Sequence, residues 1–120
     1  MEKKVKASIT EITPLKAKAG DGATIHYTYM EEGRERKGVY KCFPINPESS
    51  GGYSIVVCSC LYLFGAENIN EAQSTPEEIN AALESLGKSG DKFKGMEVVA
   101  VLGGKFGTRR LEEAPQKNRL

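Results

Sequence analysis

The stretch Ala23–Phe43, ATIHYTYMEEGRERKGVYKCF, decides how the chain is read. Ala23, Ile25, Tyr27 and Tyr29 share one parity, and Thr24, His26 and Thr28 share the other. Alternation of this kind marks a strand with one buried and one wetter face. Glu31 to Gly38 is too polar to bury, and its two glycines allow a bend, so it is read as the turn of a hairpin. Val39 to Phe43 returns as the next strand, with Lys41 among Tyr40, Cys42 and Phe43. Aromatic and cationic side chains on neighbouring strands suggest a binding surface. A hairpin with a solvated rim accounts for the same residues.

Upstream, Val5, Ala7 and Ile9 alternate with Lys6, Ser8 and Thr10, which predicts a half-buried strand over Lys4–Ile12. Pro14 is expected to close it, because proline cannot donate to a continuing ladder. Leu15 to Gly22 follows as a basic, glycine-ended loop. Downstream, Pro44 to Gly52 is a run of turn formers. Tyr53–Phe64, YSIVVCSCLYLF, is apolar on nearly every side. Its β-branched residues favour strand. Its length, and the spacing Tyr53, Val56, Val57, Cys60, Leu61, Phe64, favour a buried helix ended by Gly65. Helix is the reading adopted.

Thr75-Pro76-Glu77-Glu78 carries a capping residue, a proline suited to the first helical position, and the glutamate of a capping box. Ile79, Ala82, Leu83 and Leu86 then share one face, and Gly87 is expected to stop the helix. Met96–Leu102 reads as a central strand and Gly103-Gly104 as a tight turn. Lys105–Leu111 reads as the last strand.

The totals bound the function. At 120 residues the chain is long enough for one domain with its own core. Residues 1–112 are expected to form that domain and 113–120 a flexible tail. A formal net charge of +1 carries no global basic signature, so any nucleic-acid site must be a local patch. No apolar run could span a bilayer, and MEKKVKASI is not a signal peptide. Three cysteines, Cys42, Cys58 and Cys60, without a secretory signal predict reduced thiols in a cytoplasmic protein. Their spacing matches no usual zinc pattern, so neither metal nor other cofactor is expected.

Short strands of this number, with helix inserted between the third and fourth, predict an α+β, mainly β fold. The specific expectation is a five-stranded OB-like barrel with one or two helices between strands 3 and 4. The chain also resembles the small phage-type single-stranded-DNA-binding proteins with OB-like folds. The resemblance rests on Lys16-x-Lys18-x-Gly20-Asp21-Gly22, Arg36-Lys37-Gly38, Leu63-Phe64-Gly65 and Phe93-Lys94-Gly95. Many such proteins end in an acidic, partner-recruiting tail; this chain ends Glu113-Ala114-Pro115-Gln116-Lys117-Asn118-Arg119-Leu120. The resemblance implies sequence-nonspecific binding of single-stranded DNA, or RNA, in phage or mobile-element replication and recombination.

Such binding needs a cationic track for phosphates and flat side chains for bases. The expected nucleic-acid-binding residues are Lys6, Lys16, Lys18, Tyr40, Lys41, Lys105, Phe106, Arg109 and Arg110. Tyr27 and Tyr29 share the parity of Ile25 and are also read as core. No enzyme is expected. His26 is the only histidine, and the pairs Glu31-Glu32, Glu77-Glu78 and Glu112-Glu113 lie in a turn, a helix cap and near a tail. The alternative is a small, non-enzymatic, phage-encoded inhibitor that occupies a host protein. Self-association is left open.

Overall fold

The computed structural model describes residues 2–46, 52–66, 68–70, 72–103 and 107–115. Five strands form one antiparallel sheet: β1 (Lys3–Ala17), β2 (Gly20–Glu31), β3 (Arg34–Cys42), β4 (Glu97–Leu102) and β5 (Thr108–Glu113). Their order is β3-β2-β1-β4-β5. Two helices, α1 (Gly52–Leu63) and α2 (Pro76–Gly87), lie between β3 and β4 in the chain. The expected mainly β architecture, with helix inserted after the third strand, is therefore present. The sheet is not closed into a full barrel, although its edge strands β3 and β5 approach each other. Among the described residues, no helix is long and apolar enough to cross a membrane.

β1 is shared between two partners. Its residues Lys3–Ser8 pair with β4, and Ala7–Ala17 pair with β2. The register with β2 shifts between Ile9 and Glu11, leaving Thr10 as an extra residue. A bulge of this kind bends the strand and resets which side chains face inward. Ile9 and Ile12, of opposite parity, are both buried as a result.

Pro14 does not end β1, contrary to the sequence expectation; it pairs with Ala23 inside the strand. The reason is the side on which its nitrogen falls. Ile12, two residues earlier, directs its N–H and C=O away from β2, to the backbone of Gly90. Pro14 has the same parity, so its missing donor removes no bond to β2. Residues 90–96 cover this side of β1: Gly95 donates to Ile9, and Ile9 donates to Met96.

The β2–β3 turn is much tighter than the expected Glu31–Gly38. Glu31 pairs with Arg34, so only Glu32 and Gly33 connect the strands. Both have positive φ, 51° and 77°, the requirement of the turn that matches the twist of a hairpin. Gly38 lies inside β3 opposite Tyr27. A Cβ there would collide with the Tyr27 ring, which lies across the glycine. The ring reaches the far edge of the sheet, where its hydroxyl hydrogen-bonds Thr108 of β5. Burial holds that phenol above its ordinary pKa range, the bond to Thr108 partly opposing the rise.

The apolar run is helical over Gly52–Leu63, as the spacing favoured, with Phe64 in the turn that follows. α1 ends in a glycine cap: Gly65 has φ 95°, donates to Tyr62, and is followed by Ala66 donating to Leu61. Val57, Cys60, Leu61 and Phe64 of the expected face are buried, while Val56 is 40% exposed and Cys58 is buried in its stead. α2 has the full capping box, with Glu78 donating to Thr75 Oγ1 at 3.1 Å and Thr75 donating to Glu78 Oε1 at 2.8 Å. Gly87 is the helix's last residue, and Lys88 is its C-cap. A Cβ at Gly87 would meet the carbonyl of Gly22, so glycine here serves the close approach of α2 to β2.

Ile79, Leu83 and Leu86 put α2 on the inner face of β1 and β2, among Ile9, Ile12, Ile25 and Val98. Asn80 adds a polar clamp. Its side-chain amide both accepts from and donates to the backbone of Ile45, each at 2.7 Å, and so fixes the chain leaving β3. The strand expected over Lys105–Leu111 is observed over Thr108–Glu113, with Gly104, Lys105 and Phe106 outside the described residues. Glu113 thus belongs to the sheet rather than the tail; residues 116–120 also lie outside the description.

Two stability outcomes follow. Leu83 is fully buried, so Leu83→Ala should cost about 2–5 kcal/mol in chemical denaturation. An unchanged midpoint would place α2 outside the core. At Gly38, alanine would gain about 0.4–1 kcal/mol by restricting the unfolded chain. The clash with Tyr27 should outweigh that gain, at about 1–3 kcal/mol for an overpacked site. A Gly38→Ala chain that melts at or above the parent's temperature would contradict the seating of the Tyr27 ring.

Candidate nucleic-acid interface

The outward parity of β2 and β3 builds one continuous face. Across the paired strands Lys41 lies opposite Thr24, Val39 opposite His26, Lys37 opposite Thr28, and Glu35 opposite Met30. β1 extends these rows with Thr13 beside Thr24, Glu11 beside His26, and Ser8 beside Thr28. Phe43, one residue beyond β3, is 45% exposed, and Met30 and Val39 are exposed as well. A shallow groove of about 430 Å3 runs over the centre, lined by residues that include Thr10, Glu11, His26, Lys37 and Val39. The Thr10 bulge lies along this groove, and His26 Nε2 is 3.0 Å from Thr13 Oγ1. Lys37 and Lys41 make no ion pair among the described residues, and with Glu11 and Glu35 they give the face both signs of charge beside apolar surface.

The expected site residues divide. Lys41 is exposed on this face. Tyr40, its neighbour, points the other way, is 8% exposed and belongs to the core, so its ring offers no free face for a base. Tyr27 is core too, and Tyr29 is half-buried against it. The expected interleaving of Tyr40 and Lys41 is therefore split between two sides of the sheet by strand alternation. Lys6 is exposed on β1, opposite Val99 of β4. Lys18 is exposed in the β1–β2 turn, and Lys16 is paired with Asp21 at 2.8 Å. Lys105 and Phe106 lie outside the described residues.

Arg109 and Arg110 are committed elsewhere. Arg109 is the extra residue of a second bulge, where the β4–β5 register shifts, and its guanidinium is 3.5 Å from Glu2. Arg110 bonds Glu112 at 2.8 Å and Glu2 at 3.2 Å, and Lys4 reaches Glu112 at 3.1 Å. The hydrogen bonds from Arg110 hold both carboxyls below their ordinary range, and those carboxylates in turn raise Arg110. Lys4 and Arg110 flank Val101 on either side in the register, and Val101 is fully buried. The cluster roofs an apolar residue with three cations held on two carboxylates, a formal excess of one positive charge.

His26 lies opposite Glu11 of β1 in the register. Its bonded neighbour is a threonine, and Cys42, Cys58 and Cys60 are buried in the core. The Cys60 thiol is pushed up by its hydrogen bond to Cys42 and by burial, which opposes the reactive thiolate form. Among the described residues, no group of three or more His, Cys, Asp or Glu side chains could hold a metal ion.

Phe43, Val39, Lys37 and His26 were not singled out as site residues in the sequence. Carrying the alternation of β2 across the hairpin would have found Val39 and Lys41 on the outward side, and Tyr40 and Cys42 on the inward side. Comparison with protein-family models, with curated proteins and with solved structures finds no match to this chain.

Proposed function

We propose that the chain binds single-stranded nucleic acid without reading its sequence, on the outward face of β2 and β3. The observation that carries this reading is the joint exposure of Lys37, Lys41, Val39, Met30 and Phe43 on one side of a hairpin whose other side is core. The strand order supports it. A sheet ordered β3-β2-β1-β4-β5, with β3 turning toward β5 and helix between β3 and β4, has the connectivity of an OB-like barrel. In that fold the face of strands 2 and 3, with the β1–β2 and β4–β5 loops, binds oligonucleotides. Lys18 lies in the first of those loops and Lys105 and Phe106 fall in the second by sequence.

On this reading Lys18, Lys37 and Lys41 meet phosphates, and Phe43 offers a flat surface to a base while Val39 and Met30 pack beside it. Three phosphate contacts on a single strand give an affinity that falls with salt at a log–log slope of about −2. No base-reading array is required, because every base has a face to stack.

Fluorescence anisotropy with labelled oligo-dT at several salt concentrations tests the proposal. The parent should bind with that slope. Lys41→Ala and Lys37→Ala should each weaken binding and reduce the slope by about 0.7. Phe43→Ala should weaken binding by about 1–3 kcal/mol and leave the slope unchanged. Each variant is first shown to melt like the parent. No binding by the parent at low salt, or unaltered binding by all three folded variants, would overturn the reading.

A further inference from the structure

α1 contains no charged residue from end to end. Its inner side is spent on the core through Val57, Cys58, Cys60 and Leu61. Its outer side still carries Ile55, 55% exposed, Val56, and Tyr62, 68% exposed. Ile55, Ser59 and Tyr62 fall at helical spacings of four and three, so they form one stripe. Beside the stripe runs a groove of about 510 Å3 between α1 and the β4–β5 edge. Leu63, Met96 and Leu111 give it apolar walls, and Glu97, Glu112 and Glu113 give it an acidic rim. Glu112 is already held by Arg110 and Lys4, whereas Glu97 and Glu113 are exposed and make no ion pair among the described residues.

We propose that this groove and stripe receive a segment of a partner protein that carries apolar side chains flanked by lysine or arginine. Charge decides the occupant. An exposed apolar patch beside a groove marks an interaction site but not its partner. A second copy packed groove to groove on a two-fold axis would set one acidic rim against the other, where like charges repel. A nucleic acid would meet the same repulsion. A basic, apolar segment covers Ile55 and Tyr62 and pairs the two carboxylates at the rim. The surface shares no residue with the β2–β3 face, so it stands independently of nucleic-acid binding.

The test is a titration of the isotope-labelled chain with two amphipathic peptides, one of leucine, lysine and arginine, the other with every basic residue replaced by glutamate. The basic peptide should shift the amide signals of Tyr62, Leu63, Met96 and Leu111, and the acidic peptide should not. Glu97→Lys combined with Glu113→Lys should weaken the basic peptide about tenfold, as loss of two exposed ion pairs allows. Tyr62→Asp should also weaken it, with both variants melting like the parent and keeping their affinity for oligo-dT. No shift with the basic peptide, or equal shifts with both peptides, would overturn the proposal. So would a concentration-dependent dimer in sedimentation that Tyr62→Asp abolishes, because it would assign the surface to a second copy.

Discussion

The bend in β1 at Thr10 is the constraint on which the rest of the structure depends. One strand must pair with β4 over its first half and with β2 over its second, and a flat strand could not bury both Ile9 and Ile12 while doing so. The bulge resets the parity and lets the sheet curl, which brings β5 toward β3 and allows the Tyr27 hydroxyl to reach Thr108. The space inside the curl is filled by the α2 side chains Ile79 and Leu83. The same bend places Glu11 and Thr13 on the outer face beside His26 and Thr24. Core and candidate surface are thus two consequences of one backbone irregularity.

Much of this could be read from residues. The alternation of β2, the capping box at Thr75, and the glycine-ended apolar run of α1 are local signals, and each appears where its chemistry requires. What was hidden depends on partners. Pro14 is tolerated because of which neighbour its nitrogen faces, and a sequence does not display neighbours. Arg34, Glu35, Arg36 and Lys37 have the polarity of a turn, yet they form an edge strand whose charged side chains face water, as edge strands commonly do. Gly38 has the sequence signature of a turn residue, although it is the seat of the Tyr27 ring.

The candidate surface was legible in its strands and in Lys18 and Lys41, and not in Val39 or Phe43. Counting cations and aromatics by nearness in sequence joined Tyr40 to Lys41, which strand geometry separates. Arg109 and Arg110 also share one carboxylate, that of Glu2, which is distant in sequence and so invisible to such a count. With the acids distributed in this way, Lys37 and Lys41 on the outer hairpin and Glu97 and Glu113 beside α1 make no ion pair among the described residues. The outer hairpin carries Lys37 and Lys41 beside Glu11 and Glu35, whereas the charged side chains lining the groove beside α1 are Glu97, Glu112 and Glu113.

Mapping by NMR tests most directly whether the β2–β3 face meets a nucleic acid. Oligo-dT added to the isotope-labelled chain should shift the amide signals of His26, Thr28, Lys37, Val39, Lys41 and Phe43. Signals from α1 and from the Arg109–Arg110 edge should stay in place. Shifts that cluster on α1 or on that edge, or no shifts at low salt, would contradict the account.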